Sequence, residues 1–207
     1  MALSALSDEL MRAEGMMMQD QNEEALELLL RLAEDAEEYV DCNCQTTDEV
    51  QYFAFPTLFD RLAYRRVEND PRKLEDVHEP FDRLYGDLAM AYVRTGDYEN
   101  AMSALKTAIR WNPMNCGFRL DLADLFKIAG DIREQMALTF GVFERASEAR
   151  HLTRAFLNFA AWFEAQGRLE QAAACLRAAR RFEVKDGALE AALDQAAGTP
   201  KDPDGLT

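Results

Sequence analysis

The sequence contains few of the residues that metal centres and nucleophilic catalysis require. Its 207 residues include four cysteines and two histidines. Cys42 and Cys44 are close together, but there is no second close pair, and a structural zinc ion needs four such ligands. We therefore expect no metal ion, no cofactor, and free thiols at all four cysteines.

The motifs of common enzyme classes are also missing. The sequence contains neither the G-x-x-x-x-G-K-[ST] phosphate-binding loop nor the H-E-x-x-H metalloprotease motif. His78 and His151 are far apart, and the pattern places each of them at a helix boundary without a paired serine or cysteine nucleophile. These absences predict a protein without catalytic activity.

Long apolar runs and an excess of positive charge are absent as well. No stretch approaches the roughly 20 apolar residues of a transmembrane helix, and the first residues are too acidic for a secretion signal. The net charge is −15, and residues 1–50 hold 14 acidic residues and two arginines. The missing membrane span and secretion signal predict a cytoplasmic protein that does not bind membranes. Because an acidic surface repels phosphate groups, nonspecific binding to nucleic acids is disfavoured.

Three glycines recur at regular spacing between helical patterns. Gly96, Gly130 and Gly167 are separated by 34 and 37 residues, a spacing typical of repeat proteins. Glycine suits a helix end because it adopts the left-handed conformation without a side-chain clash. An aspartate follows each of the first two glycines and is expected to cap the next helix, whereas Arg168 follows the third.

Small and large apolar residues share the helical faces around these glycines. Ala89 and Ala101 allow two antiparallel helices to approach closely, and larger neighbours fill the remaining space. The faces expected to meet across the first turn are Tyr85, Leu88, Ala89 and Tyr92 on one helix and Tyr98, Ala101, Leu105 and Ala108 on the other. In the middle unit, Gln135 and Thr139 stand at positions that are usually apolar. There we expect Met136, Phe140 and Phe143 to take over the buried face.

These units resemble the tetratricopeptide repeat, a helix–turn–helix module of about 34 residues. The best match is residues 82–115, in which Pro113 stands at the terminal proline of the family pattern. Residues 116–152 and 153–186 match less completely, and residues 6–39 resemble a degenerate unit. The protein thus resembles stand-alone members of this family, of the bacterial type.

The resemblance implies an all-α fold, an α-solenoid of stacked antiparallel helix pairs that follows a superhelix. We expect a single domain over residues 1–198, with a helical insertion at 40–81 after the first pair and a capping helix at 186–197. Residues 199–207 combine proline, glycine and charge, and we predict a disordered tail there.

The insertion is rich in aromatic residues. We expect a helix that begins near Pro56 and a short helical turn that begins at Asp70-Pro71. The residues expected to turn inward on that helix are Leu58, Phe59, Leu62 and Ala63. Phe53, Phe55 and Phe59 either pack the insertion against the repeats or form an exposed partner site.

Proteins of this family bind peptides or helices of their partners in a concave groove lined by the first helix of each pair. The resemblance therefore implies a non-catalytic interaction scaffold for an unidentified protein or peptide. By the family's register, the groove residues are Arg83, Asp87, Met90, Arg94, Asp121, Asp124, Lys127, Asn158 and Glu164.

The sequence leaves two other functions open. A basic patch could bind RNA through a helical-repeat surface, and its members are Arg168, Arg177, Arg180 and Arg181. Self-association through Trp162 or the aromatic residues of the insertion would instead give a structural module. The sequence does not decide whether the groove, residues 50–63 or the acidic N-terminal segment carries the binding.

Overall fold

A computed structural model describes residues 3–198, so the tail predicted at 199–207 lies outside the described residues. Over this range the chain forms ten helices and two short strands. Their bounds are α1 Leu3–Met18, α2 Asn22–Asn43, β1 Val50–Phe53, α3 Leu58–Glu68, β2 Lys73–Asp76, α4 Phe81–Thr95, α5 Tyr98–Trp111, α6 Cys116–Ile128, α7 Ile132–Arg145, α8 Ala149–Ala165, α9 Leu169–Arg180 and α10 Gly187–Gly198. The chain divides into two compact units, of which unit 1 ends at Phe118 and unit 2 begins at Arg119.

The three repeated glycines lie at tight reversals between helices, as predicted. Gly96, Gly130 and Gly167 have φ angles of +84°, +81° and +71°, which residues with a Cβ adopt only with strain. The aspartate after each of the first two glycines accepts a hydrogen bond from the backbone N–H three residues later, at 3.1 Å in both cases. Arg168 provides no such side-chain cap, so the third turn lacks the aspartate hydrogen bond of the first two.

Unit 1 contains two helical hairpins, α1–α2 and α4–α5. Both α1 and α2 pack against α4. The side chains at these contacts combine small and large residues, as the pattern predicts, and none is more than 3% exposed: Ala13, Ala25, Leu29, Leu84, Ala89, Ala101 and Leu105. Close approach also explains Gly86, because a Cβ there would lie 2.5 Å from Cε1 of Phe118.

The insertion contains two strands that the sequence pattern does not predict. β1 and β2 pair in parallel, with Val50 opposite Lys73, and α3 connects them. The backbone N–H of Ala54 donates a hydrogen bond to the carbonyl of Trp111 at 2.9 Å, which joins the insertion to the end of α5. A buried cluster lies beneath these elements and consists of Phe53, Phe55, Tyr64, Leu74 and Met114.

The helical turn predicted at Asp70-Pro71 is wrong, because this segment leads into β2. The Asp70 carboxylate organises the loop by accepting hydrogen bonds from Oη of Tyr64 at 2.8 Å and from Nη2 of Arg72 at 2.7 Å. The Arg72 guanidinium holds the pKa of Asp70 well below its usual range. The Asp70 side chain therefore fixes the loop that leads into β2.

The inward orientation predicted for α3 is wrong for three side chains. Leu58, Phe59 and Leu62 are 69%, 63% and 59% exposed. Tyr64 is buried and Ala63 is half-buried, so α3 packs through its other face. An amphipathic pattern shows which residues share a face, but it does not show which face another element covers.

In unit 2, α7 packs against α8, and α8 packs against α9. The last helix, α10, packs on α8 and α9 as expected of a capping helix. Its Leu193 completes a buried cluster with Ala160, Leu176 and Ala179.

The buried face predicted for α7 is wrong. Gln135 and Thr139 are 4% and 0% exposed, whereas Phe140 is 62% exposed. The Thr139 hydroxyl donates a hydrogen bond to the Gln135 carbonyl at 2.8 Å, and the Asn158 amide donates to that hydroxyl at 3.4 Å. Because the Thr139 hydroxyl is paired, α7 can keep the register of the other units with this polar residue inside.

The all-α class built from neighbouring helix pairs is therefore confirmed. The single domain over 1–198 and the superhelical course remain predictions. No helix in the described part of the chain has both the length and the apolar character needed to cross a membrane.

Candidate functional site

The groove residues predicted in unit 1 lie on α4, and the first of them contacts α1. Arg83 donates two hydrogen bonds to Oε1 of Glu14, from Nη2 at 2.6 Å and from Nε at 2.9 Å. Its Nε is also 3.9 Å from Oδ2 of Asp87. The two carboxylates hold the guanidinium on this face, and Glu14 is a member that sequence reasoning missed.

Asp87 changes charge in an unusual pH range. Burial, reinforced by the negative charge of Glu14, raises the pKa of Asp87 to about 7. Its Oδ2 is buried and has no hydrogen-bond partner among the described residues. The charge of this face therefore depends on pH near neutrality.

Met90 and Arg94 continue the same face of α4 toward its C-terminal end. Met90 is 48% exposed. Nη1 of Arg94 donates to the Met17 carbonyl at 2.8 Å and lies 3.8 Å from Oδ1 of Asp20. The α4 face thus presents the flexible thioether of Met90 between Arg83 and Arg94. Contacts with α1 and the turn after it fix the positions of the two arginines.

In unit 2, three predicted groove residues line an open cleft. The cleft lies between α6, α8 and α10 and has a volume of about 490 Å³. Lys127, Asn158 and Glu164 supply polar groups to it. Its apolar walls are Leu157, Ala160, Ala161, Ala192 and Ala196. Such a combination of apolar walls and a few polar groups is typical of ligand-binding sites.

Arg154 also lines this cleft, and the sequence analysis missed it. Its Nη2 donates to Oδ1 of Asp121 and to Oδ2 of Asp124, at 2.8 Å in each case. Burial lowers the pKa of Arg154, but the two carboxylates more than offset this and raise it above its ordinary value. A signal was available, since the two acids are one helical turn apart and Arg154 follows Asp121 by 33 residues, about one repeat.

The structure thus assigns the nine predicted groove residues to two separate sets. Asp121 and Asp124 act as partners of Arg154 instead of standing as independent contact residues. Lys127, Asn158 and Glu164 come together in the cleft of unit 2, whereas the four α4 residues belong to unit 1.

Two arginines of the alternative RNA-binding patch have partners within the chain. The guanidinium carbon of Arg168 lies 4.6 Å from the ring centroid of Phe163. Nη2 of Arg180 lies 3.2 Å from Oδ1 of Asp194. These contacts engage two of the four cations and bring a carboxylate into the patch, so they do not favour phosphate binding.

The cysteines and acids do not gather into a metal centre in the described residues. Between residues 3 and 198, no group of three or more His, Cys, Asp or Glu side chains is placed to hold a metal ion. All four cysteines are free; Cys44 and Cys116 are buried and Cys42 is exposed.

The hairpin formed by α4 and α5 coincides with a known repeat family. Residues 82–115 match the family model described as tetratricopeptide repeat. The chain is also similar to the crystal structure of TTC0263, a thermophilic TPR protein of Thermus thermophilus, with 19% identity and a TM-score of 0.46 over 93% of this chain and 99% of that chain. That likeness is distant, and no match is found among curated proteins. The chain therefore contains a tetratricopeptide repeat at residues 82–115, which confirms the family predicted for this segment.

Proposed function

We propose that the chain is a non-catalytic scaffold that binds a peptide or helix of a partner protein, and that the cleft of unit 2 takes part in the binding. The observation that carries this proposal is the cleft itself, about 490 Å³ in volume and lined by residues of three helices. Tetratricopeptide repeats generally mediate protein–protein interactions, which agrees with a binding function. The exposed Met90 face of α4 is the corresponding surface of unit 1.

The side chains of the cleft favour a peptide with an apolar anchor. Four of its wall residues are alanines, and short side chains leave room for a partner's side chain and allow its backbone to approach. Leu157 adds apolar contact area. Burying an anchor side chain of leucine size contributes about 1.5–3 kcal/mol, and the centre of an interface usually provides most of its binding energy.

The polar groups of the cleft favour orientation and specificity over strong charge attraction. Lys127 carries a positive charge and Glu164 a negative one, and the charge of Arg154 is more than offset by two aspartates. A partner that matches this pattern needs both a hydrogen-bond donor and an acceptor beside its apolar anchor. Nonspecific binding to a strongly charged polymer is not favoured by this balance.

A filling substitution tests the cleft. Ala161 is exposed on α8 and lines the cleft, so Ala161→Phe places a ring where the anchor side chain is expected. Ala174→Phe makes the same change at an exposed position of α9 outside the cleft and serves as the matched control. Affinity capture from the native cell, followed by quantitative mass spectrometry, measures the bound partner.

We expect at least a tenfold loss of one captured partner with A161F and no loss with A174F, because a filled cleft excludes the anchor. Binding of the purified chain to an array of peptides from that partner then identifies the segment involved. Equal capture by the wild-type chain and A161F would contradict the assignment to this cleft.

A second candidate function is self-association, and the exposed face of α3 favours it. Leu58, Phe59 and Leu62 form a contiguous apolar surface of a kind that often marks an interface. Antiparallel pairing of two copies of α3 would cover both apolar surfaces.

A further inference from the structure

Unit 1 contains a cavity that none of the predicted groove residues lines. It lies between the beginning of α1, the C-terminal half of α2 and the segment that enters α4, and its volume is about 400 Å³. This size lies within the range of small-ligand sites, which is about 300–1,000 Å³. No lysine or arginine is among its lining residues.

Glu79 is the buried acid of this cavity. The residue is 8% exposed, and its Oε2 is buried without a hydrogen-bond partner among the described residues. Burial raises the pKa of Glu79 above its ordinary value. A buried carboxylate oxygen without a hydrogen bond costs free energy, so an ammonium donor at this position would relieve an existing cost.

The walls of the cavity suit a short carbon chain. Leu6 and Ala36 are each 1% exposed, and Phe81 is 2% exposed, which gives an apolar floor. The rings of Tyr39 and Phe81 meet edge to face with their centroids 6.0 Å apart. Methylene groups pack well against such walls, and an aromatic ring also attracts a nearby cation.

Two further acids stand at the mouth of the cavity. Asp35 and Glu38 lie on exposed positions of α2 and line the opening, so three carboxyl groups face the same space. A calcium or magnesium ion would require about six oxygen ligands in close geometry, which the apolar floor does not supply. A monovalent cation on an aliphatic chain fits both the acids and the apolar floor.

We propose that this cavity binds an aliphatic ammonium group, carried by a lysine side chain or by a free alkylamine, with Glu79 as its counter-ion. The ammonium donates a hydrogen bond to Oε2 of Glu79, its methylene groups lie against Leu6 and Phe81, and Asp35 and Glu38 attract it to the opening. This site is separate from the cleft of unit 2 and does not depend on that cleft binding a peptide.

Binding is measured by ¹H–¹⁵N correlation spectra of the full chain at constant ionic strength. The free-amine probe is n-butylammonium chloride, and 1-butanol is its neutral counterpart. The side-chain probe is an acetylated and amidated Ala-Lys-Ala peptide, with norleucine in place of lysine in the neutral counterpart. We expect saturable shifts at residues 35–43 and 79–81 with the ammonium probes, and at least tenfold weaker binding of the neutral ones.

Two substitutions separate Glu79 from the general acidity of the chain. Glu79→Gln keeps the size of the side chain and removes its charge, so we expect at least a tenfold loss of ammonium binding. Glu34→Gln removes one charge at an exposed position of α2 that does not line the cavity, and it should bind like the wild type. Oε2 of Glu79 has no hydrogen bond to lose, so E79Q should remain folded, and its thermal unfolding measured beside the wild type excludes unfolding as the cause.

Each outcome decides the proposal. Binding of butylammonium alone identifies a free amine, and binding of the lysine peptide identifies a side chain; both support the site. Equal binding to E79Q and the wild type would overturn it, as would equal binding of the neutral probes. Absence of saturable shifts up to about 10 mM probe would also overturn it, because a dissociation constant above that concentration is too weak for a binding site.

Discussion

At the scale of single residues, the chain keeps several acids inside unit 1 at a cost in stability. Asp82 is 8% exposed and accepts a hydrogen bond from the Asn112 side-chain amide at 2.8 Å, so its burial is partly compensated. Asp87 has only a distant arginine, 3.9 Å away, as a counter-charge. The difference predicts that Asp87, more than Asp82, limits the stability of the chain at neutral pH.

The pH dependence of Asp87 gives a direct test. Its pKa is about 7 in the folded chain, against an ordinary value of 3.8. Between these values the native state binds more protons than the unfolded state, so its contribution to stability falls as pH rises from about 4 to 7 and is then constant. Asp87→Asn removes this loss. We expect the free energy of unfolding of the variant to rise relative to that of the wild type between pH 4 and 7, by at most about 4 kcal/mol at pH 7.

Urea unfolding at a series of pH values between 4 and 8 measures this difference. Asp41→Asn is the control, because Asp41 is exposed on α2 and its replacement should leave the shape of the pH profile unchanged. A constant difference between D87N and the wild type at every pH would contradict the raised pKa of Asp87.

At the scale of helices and strands, two glycines of unit 1 should respond oppositely to the same substitution. Gly96 ends α4 with a φ of +84°, which strains any residue with a Cβ. Gly15 lies inside α1, and a Cβ there would meet no atom within 4 Å. We expect Gly96→Ala to destabilise the chain by about 1 kcal/mol and Gly15→Ala to stabilise it by about 0.5–1 kcal/mol.

Chemical denaturation with circular dichroism measures both free energies of unfolding, and each variant serves as the other's control for the added methyl group. If G96A proved as stable as the wild type, the left-handed turn would not be a constraint on this hairpin.

The helices and their turns could be predicted from the sequence because their determinants are local. Gly96 and Gly130 require a particular backbone conformation, and the aspartate after each supplies the cap from the same few residues. The apolar faces of α4 and α5 follow from a spacing of three and four residues. For the same local reason, the missing cap at Arg168 could be predicted.

The features that the sequence did not predict depend on residues distant in the chain. Leu58 and Phe59 share a face that the pattern makes apolar, but no local signal shows that other elements leave that face uncovered. Thr139 is tolerated inside because its hydroxyl pairs with a backbone carbonyl and with the Asn158 amide. β1 is four residues long and pairs with a strand about 20 residues later, too short for a clear alternation.

The candidate site could be predicted in its members but less well in their roles. Lys127 and Asn158 follow from the register of the repeats and do meet in one cleft. Arg154 was missed although it stands at the same repeat position as Arg83, because its role depends on ion pairs between two helices. The register of the repeats identifies which residues share a face. Which of them pair with one another depends on how far each side chain reaches.

At the scale of the whole molecule, the exposed face of α3 predicts a concentration-dependent dimer. Leu62 lies near the middle of that face and is 59% exposed. Leu62→Glu adds a charge to each copy where two apolar surfaces would meet, so we expect the variant to remain monomeric. Sedimentation equilibrium over a range of protein concentrations measures the association.

Leu30→Glu is the matched control, since Leu30 is 39% exposed on α2 and lies outside α3. Both positions are on the surface, so the substitutions themselves should change stability by less than about 0.5 kcal/mol. A wild-type chain that remains monomeric at the highest concentration reached would exclude this mode of association.

The hydrogen bond between Ala54 and Trp111 has a consequence for how unit 1 comes apart. In an ordinary repeat array each hairpin touches its neighbours only, and the end hairpins fray independently. Here Ala54, which precedes α4 in the chain, is hydrogen-bonded to Trp111 at the end of α5. The α4–α5 hairpin is therefore held by the chain segment before it as well as by its neighbours. Such a non-local closure slows folding, and we expect the strand pair to be the last part of unit 1 to assemble.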